Sequence, residues 1–249
     1  RSQVPMQTKP PSIHPSPLVN NTHVLDQLAA SVQSIPAPLG RYVVQTEVQT
    51  EVQTEGTNRY LKASIIDSQT GNTWTYQRGP GVPSVLPMAP GFSPTEAELQ
   101  TSYPTDPTAL RSALLAQAVG TGSNSSISQT SNDLVVNSAL NALWNPLVQP
   151  ALRSALLEVI AASPEVSTSS TTTDSLGRPA VEISYLDVAL GERLAVYLDP
   201  KTGEVLETLR TSSSTTAASS IEGEDLFLRQ YWTATFPSGD PLTGVQLPG

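Results

Sequence analysis

Tyr42-Val-Val-Gln-Thr-Glu-Val-Gln-Thr-Glu-Val-Gln53 is the stretch whose pattern decides the fold. Tyr42, Val44, Thr46, Val48, Thr50 and Val52 take one face, while Gln45, Glu47, Gln49, Glu51 and Gln53 take the other. Successive side chains of a strand point to opposite faces, so this period of two describes a long, half-buried strand. The repeated Gln-Thr-Glu could pass for a low-complexity tract, but its strict alternation favours the strand, with the polar set toward solvent.

Working outward, two further strands are predicted at Tyr60–Asp67 and Asn72–Arg78. Asp67-Ser-Gln-Thr-Gly71 between them has the chemistry of a type I turn closed by a left-handed glycine. The same chemistry recurs at Asp199-Pro-Lys-Thr-Gly203, between predicted strands 192–199 and 204–211. A related Asp174-Ser-Leu-Gly177 joins strands 165–173 and 179–186, and a last strand is predicted from Leu226 to Phe236. Upstream, Leu25, Leu28, Ala29, Val32 and Ile35 fall at helical spacing, with Thr22 as N-cap and Pro36 beyond the end.

Helices fill the middle of the chain. Ser93-Pro-Thr-Glu96 has the form of a capping box with proline at the first helical position. Thr105-Asp-Pro107 opens a helix with Leu110, Leu114 and Ala118 on one face, and Val136, Leu140, Leu143 and Trp144 mark another. The last carries Leu152, Ala155, Leu156 and Val159, entered through Pro146 or Pro150, and the Ser-rich 121–131 is a loop. Strands, then helices, then strands joined by hairpins describe an α+β fold, a curved antiparallel β-sheet (half-barrel) with helices packed on one face.

The 249 residues suffice for a single α+β domain over 21–240. Residues 1–20, with five prolines and no apolar stripe, are expected as a disordered tether, and 241–249 as a tail. The chain starts at Arg1 rather than Met, so a piece of a longer product is expected, its membrane anchor lying before residue 1. Charged residues are only 14%, against about 25% in average soluble domains. Ser, Thr, Gln and Asn do the solvation instead, which suits an extracytoplasmic location in the cell envelope.

Thirteen basic against 22 acidic residues leave a net charge of −9, and the three lysines stand apart at Lys9, Lys62 and Lys201. Nucleic acid is not an expected partner of such a chain. There is no cysteine, which removes disulfides, thiolate nucleophiles and Cys-based metal sites. His14 and His23 both precede the first strand, so the body of the fold lacks a histidine for proton transfer. Lys201-Thr202-Gly203 and Ser131-Asn132-Asp133 echo β-lactamase elements, but no Ser-x-x-Lys accompanies them. They are expected as a hairpin turn and a superficial match. Asp67, Asp174 and Asp199 each stand alone, as turn residues rather than metal ligands. No catalytic residue, metal site or cofactor is assigned, and no enzyme activity is expected.

What remains is aromatic and apolar. Trp74 and Tyr76 share one face of their strand, and Trp232 is central in the last. Such residues are ordinarily core, or they line an apolar cavity between sheet and helices. The long Pro/Gly-rich 79–92 carries Val82, Val85, Leu86, Met88 and Phe92, and an apolar loop of this length covers something or meets a partner. Trp74, Tyr76, Val85, Leu86 and Trp232 are therefore the candidate ligand-binding residues.

Gly40-Arg-Tyr-Val43, Thr105-Asp-Pro107 with Leu110-Arg111, Pro150-Ala-Leu-Arg153 with Ala155-Leu156, Asp174 through Pro179, and Leu198-Asp-Pro200 with Thr202-Gly203 form a set of landmarks over 21–236. Together they resemble an uncharacterised actinobacterial family of membrane-tethered extracytoplasmic domains whose genes lie beside sigma factors. Such domains look like relatives of the lipoprotein-carrier and sigma-regulator half-barrel. That resemblance implies a sensor or carrier holding a lipid or other hydrophobic ligand between sheet and helices, and no catalytic residues. The second reading is a solid-cored protein-interaction module that meets an envelope partner.

Overall fold

The structure, a computed structural model of the chain, describes residues 22–53, 56–79, 91–120, 130–187, 191–212 and 221–246. Helix α1 spans Thr22–Gln33 and is followed by strands β1 (Tyr42–Gln53), β2 (Gly56–Asp67), β3 (Asn72–Arg78) and the two-residue β4 (Gly91–Phe92). Four helices come next: α2 (Glu96–Ser102), α3 (Pro107–Gly120), α4 (Ser131–Leu143) and α5 (Pro150–Ala161). The chain returns to strands β5 (Val166–Thr173), β6 (Pro179–Asp187), β7 (Glu192–Leu198), β8 (Val205–Ser212) and β9 (Ile221–Thr233).

All the strands join one antiparallel sheet in the order β4-β3-β2-β1-β9-β8-β7-β6-β5, open at β4 and β5. Register shifts break the β1–β9, β5–β6, β7–β8 and β8–β9 pairings. Each inserts an unpaired residue, which bends its strand and increases twist, and so curves the sheet into a half-barrel. The fold is α+β, with the helices on one face. The hairpins form as their turn chemistry dictates. Gly71 N–H donates to the Asp67 carbonyl at 2.8 Å and Gly203 N–H to the Asp199 carbonyl at 2.9 Å. The two glycines sit at φ 72° and 64°, where a Cβ would crowd the following carbonyl. Lys201-Thr202-Gly203 is thus a turn, with the Asp199 carboxylate accepting from the Lys201 and Thr202 N–H groups.

Two expectations are displaced by sheet contacts. The capping box sits at Thr95 and Glu98, two residues after the predicted Ser93 and Glu96. Ser93 is held at the sheet edge, donating to the Gly71 carbonyl and sharing a hydroxyl hydrogen bond with Thr73. The last strand ends at Thr233 rather than Phe236. There the Thr233 hydroxyl closes a local turn on Thr235, accepting from its N–H and donating to its carbonyl, and frees Phe236 from the ladder.

The main core lies between the helices and the β5–β8 half of the sheet. Leu25, Val32, Leu110, Leu114, Leu140, Leu156 and Ile160 from the helices meet Val166, Val181, Ile183, Tyr185, Val196 and Leu198 from the strands. Polar links also cross the layers: Tyr185, 1% exposed, donates its hydroxyl to Asp133 at 2.7 Å, and Asn137 donates to Asp187 at 3.0 Å. Asp133 also closes the Thr130 cap of α4, so Ser131-Asn132-Asp133 is simply a first helical turn.

At β1 the sheet changes sides. Val43 points into the main core, so by alternation Gln45, Glu47 and Gln49 share the helix-facing side. This corrects the expectation that the polar set faces solvent: Glu47 is buried and takes Lys62 at 2.8 Å. Val44, Thr46, Val48 and Thr50 are buried as expected, but on the face away from the helices. A second, smaller core forms there from Val48, Leu61, Ala63, Leu226 and Leu242, with Tyr76, Leu228 and Val245 packed against it.

Candidate functional site

The register fixes which side chains share the outer face. Val44 lies between Ile65 on β2 and Tyr231 on β9, and Ile65 is itself paired with Trp74. The next row reads Arg229, Thr46, Ala63, Tyr76, and the one after it Leu226, Val48, Leu61, Arg78. Directly opposed residues of paired strands project to the same side, so Trp74 and Tyr76 flank one apolar strip.

Phe236 completes an aromatic group at the end of that strip. Its ring stands edge-on to Trp74 at 4.9 Å between centroids and edge-on to Tyr42 at 5.5 Å. Edge-to-face contact places the positive ring edge on the negative ring face, which favours this geometry. The Arg41 guanidinium lies 5.2 Å from the Tyr42 ring centroid, and that of Arg229 4.6 Å from the Tyr231 centroid. Arg41 also grips Asp67 through two nitrogens, the shorter contact 2.7 Å, and this hydrogen bonding holds the carboxyl down at about 2. Phe236 is 41% exposed and Leu39, just before the strand, 92%. Phe236 thus leaves apolar surface open next to the aromatic group, and contiguous apolar surface of this kind marks interaction or ligand sites.

The helix-facing side of the same strands has the opposite character. Glu47, Lys62 and Asp225 cluster there, and burial pushes both carboxyls up while Lys62 draws them down. Thr208 donates to Asp225 at 3.4 Å, and Arg210 lies over the Trp144 ring at 5.5 Å. Seating an acyl chain among half-desolvated charges would strip them of partners at a cost that apolar contact does not offset. Farther along, the helix–sheet contact is filled by the main core. On β1–β3 and β9 the apolar surface therefore lies on the outer face and the charged cluster on the helix-facing side. An open groove of about 770 Å³ also runs along α1, α5 and the start of β5, lined by Asp26, Ala30, Glu158, Ala161 and Val166. Trp74, Tyr76 and Trp232 do not line it.

The structure brings Trp74 and Tyr76 onto one apolar face but separates them from Trp232. Trp232 pairs with Val43 and packs on the main core from the helix side. Adjacent positions of β1, Val43 and Val44, thus lead to opposite faces, which is why the three aromatics do not share a cavity. Val85 and Leu86 lie outside the described residues. Tyr42 and Phe236 join the group without having been singled out from sequence. Tyr42 heads the alternating run, a usable signal, whereas Phe236 is placed by the turn at Thr233. Among the described residues no three His, Cys, Asp or Glu side chains gather as a metal site, and no helix is long and apolar enough to cross a membrane.

No family model matches the chain, and no curated protein is similar to it. Among solved structures it is similar to a LolA superfamily protein from Nitrosomonas europaea, at 8% identity over 86% of this chain and 94% of that one, with a TM-score of 0.20. The site is accordingly read from its own geometry.

Proposed function

We propose that the chain is a non-catalytic, extracytoplasmic binding domain that holds an apolar ligand, a fatty-acyl chain or its like, against the outer face of β1–β3 and β9. The observation that carries this reading is the Tyr42–Phe236–Trp74 group, with Phe236 open beside an otherwise buried apolar strip. Each methylene removed from water contributes about 0.8 kcal/mol, so a partly covered chain of moderate length suffices for measurable affinity. Trp74 and Tyr76 are contacts in this reading. Val85 and Leu86 are proposed to add to them from the loop after β3, and Trp232 serves the core.

A second reading has one observation in its favour. The contact between helices and β5–β8 is filled by side chains, as in a solid-cored interaction module. In that case the same aromatic face meets an envelope protein. Calorimetric titration with lauric acid below its micelle concentration separates the two. Saturable binding with a negative heat-capacity change, weakened by Trp74→Ser, supports the ligand reading. An absence of saturable heat, with no lipid extracted from the purified protein, leaves the interaction module.

A further inference from the structure

The outer face already has an occupant. Beyond the turn at Thr233 the chain crosses back over β1–β3, and Leu242 seals the second core at 0% exposure with Val245 beside it. Residues 241–246, read from sequence as the start of a tail, thus contribute packed side chains.

The attachment of this strap is unusual for a packed segment. Its backbone hydrogen bonds among the described residues are internal, from Thr243 to Asp240 and from Val245 to Leu242, each 3.1 Å. The Leu242 N–H is taken by the Asp240 carboxylate at 2.8 Å, again within the strap. Its side-chain hold on the sheet comes from Arg78, which gives one nitrogen to Asp240 at 2.7 Å and another to the Leu242 carbonyl at 3.3 Å. Both members of the ion pair are partly exposed, a setting in which such pairs contribute little. The strap can therefore lift without breaking any rung of the β ladder, and local opening of this kind is governed by few contacts.

Lifting it would uncover Val48, Leu61, Ala63 and Leu226, which continue the strip that begins at Trp74. From the Trp74–Ile65 row to the Leu61 row is four residues of strand, about 13 Å. Resting on the ligand reading above, we infer that the second core is the deep end of the apolar-ligand site, and that residues 240–246 are its resident occupant, latched by Arg78 and Asp240. Acyl chain and strap exclude one another. The strap therefore lowers the affinity of the closed protein in proportion to how seldom it opens.

Lauric acid affinity of the full chain is compared with that of Asp240→Ala, which releases the latch, and Leu242→Ser, which vacates the deep end. Far-UV circular dichroism confirms that each variant is folded. Both variants are expected to bind at least about threefold more tightly than the parent, as removal of a competing closed state requires. Binding by the variants alone also supports the inference. If the parent binds and both folded variants bind equally or more weakly, the strap is not a competitor, while the ligand reading stands. If neither parent nor variants bind, both readings fall.

Discussion

Phe236 meets the Trp74 ring edge-on, at 4.9 Å between centroids and 80° between planes, after leaving the sheet three residues beyond the end of β9. The contact joins the segment leading into the C-terminal strap to β3 on the face away from the helices. An edge-to-face pair is worth about 0.5–1.5 kcal/mol beyond its area. With Phe236 part-exposed, Phe236→Ala should cost about 1 kcal/mol in urea unfolding and alter the near-UV dichroism of the indoles. An unchanged near-UV spectrum would mean the two rings are not in contact in solution.

Gly203 offers a sharper test of the packing. Besides its positive φ, a Cβ there would lie 2.8 Å from Val32 Cγ2, whereas at Gly177, φ 76°, a Cβ would meet nothing within 4 Å. Left-handed backbone alone costs an L-residue about 1–2 kcal/mol, and forcing the helix–turn contact adds about 1 kcal/mol or more. Gly203→Ala should therefore lower the melting temperature clearly further than Gly177→Ala. Equal effects would show that the 199–203 turn is not seated against α1.

The Arg41–Asp67 pair predicts a specific acid response. Hydrogen bonding from Arg41 holds the Asp67 carboxyl at about 2, below its ordinary 3.8. A carboxyl depressed in the folded state contributes stability that is fully present above its unfolded value and lost as pH falls through the folded one. The stability difference between parent and Asp67→Asn should be constant above about pH 4 and shrink toward about pH 2. A difference that persists undiminished at the lower pH would contradict the assignment.

Local chemistry made much of this fold legible. Each Asp…Gly turn specifies its hairpin within five residues, and the alternation from Tyr42 to Gln53 specifies a long central strand. What alternation does not specify is which face the helices take. That depends on Val43, one residue out of step with the valine stripe, being drawn into a core assembled from distant parts of the chain, from Leu25 to Leu198. The aromatic site was legible in part for the same reason. Trp74 and Tyr76 share a face by strand geometry, but Trp232 differs in parity only through the β1–β9 register. Phe236 and Leu242 carry no periodic signal, since single apolar residues after a strand look alike whether they pack or not. The capping box moved because Ser93 was recruited by Gly71 and Thr73, contacts no local pattern encodes.

The central claim is that an apolar ligand lies on the outer face, and the three tryptophans permit a direct reading of it. Trp74 lies on the outer face and Trp232 on the helix-facing side, and Trp144 closes α4 with Arg210 over its ring. A bromine-labelled fatty acid quenches an indole only in near contact. The measurement is its quenching of the Trp144→Phe/Trp232→Phe double variant, which retains Trp74, against Trp74→Phe, which retains the other two. Saturable quenching is expected in the first and little or none in the second. Quenching that survives in Trp74→Phe and vanishes in the double variant would place the ligand between sheet and helices and contradict the account.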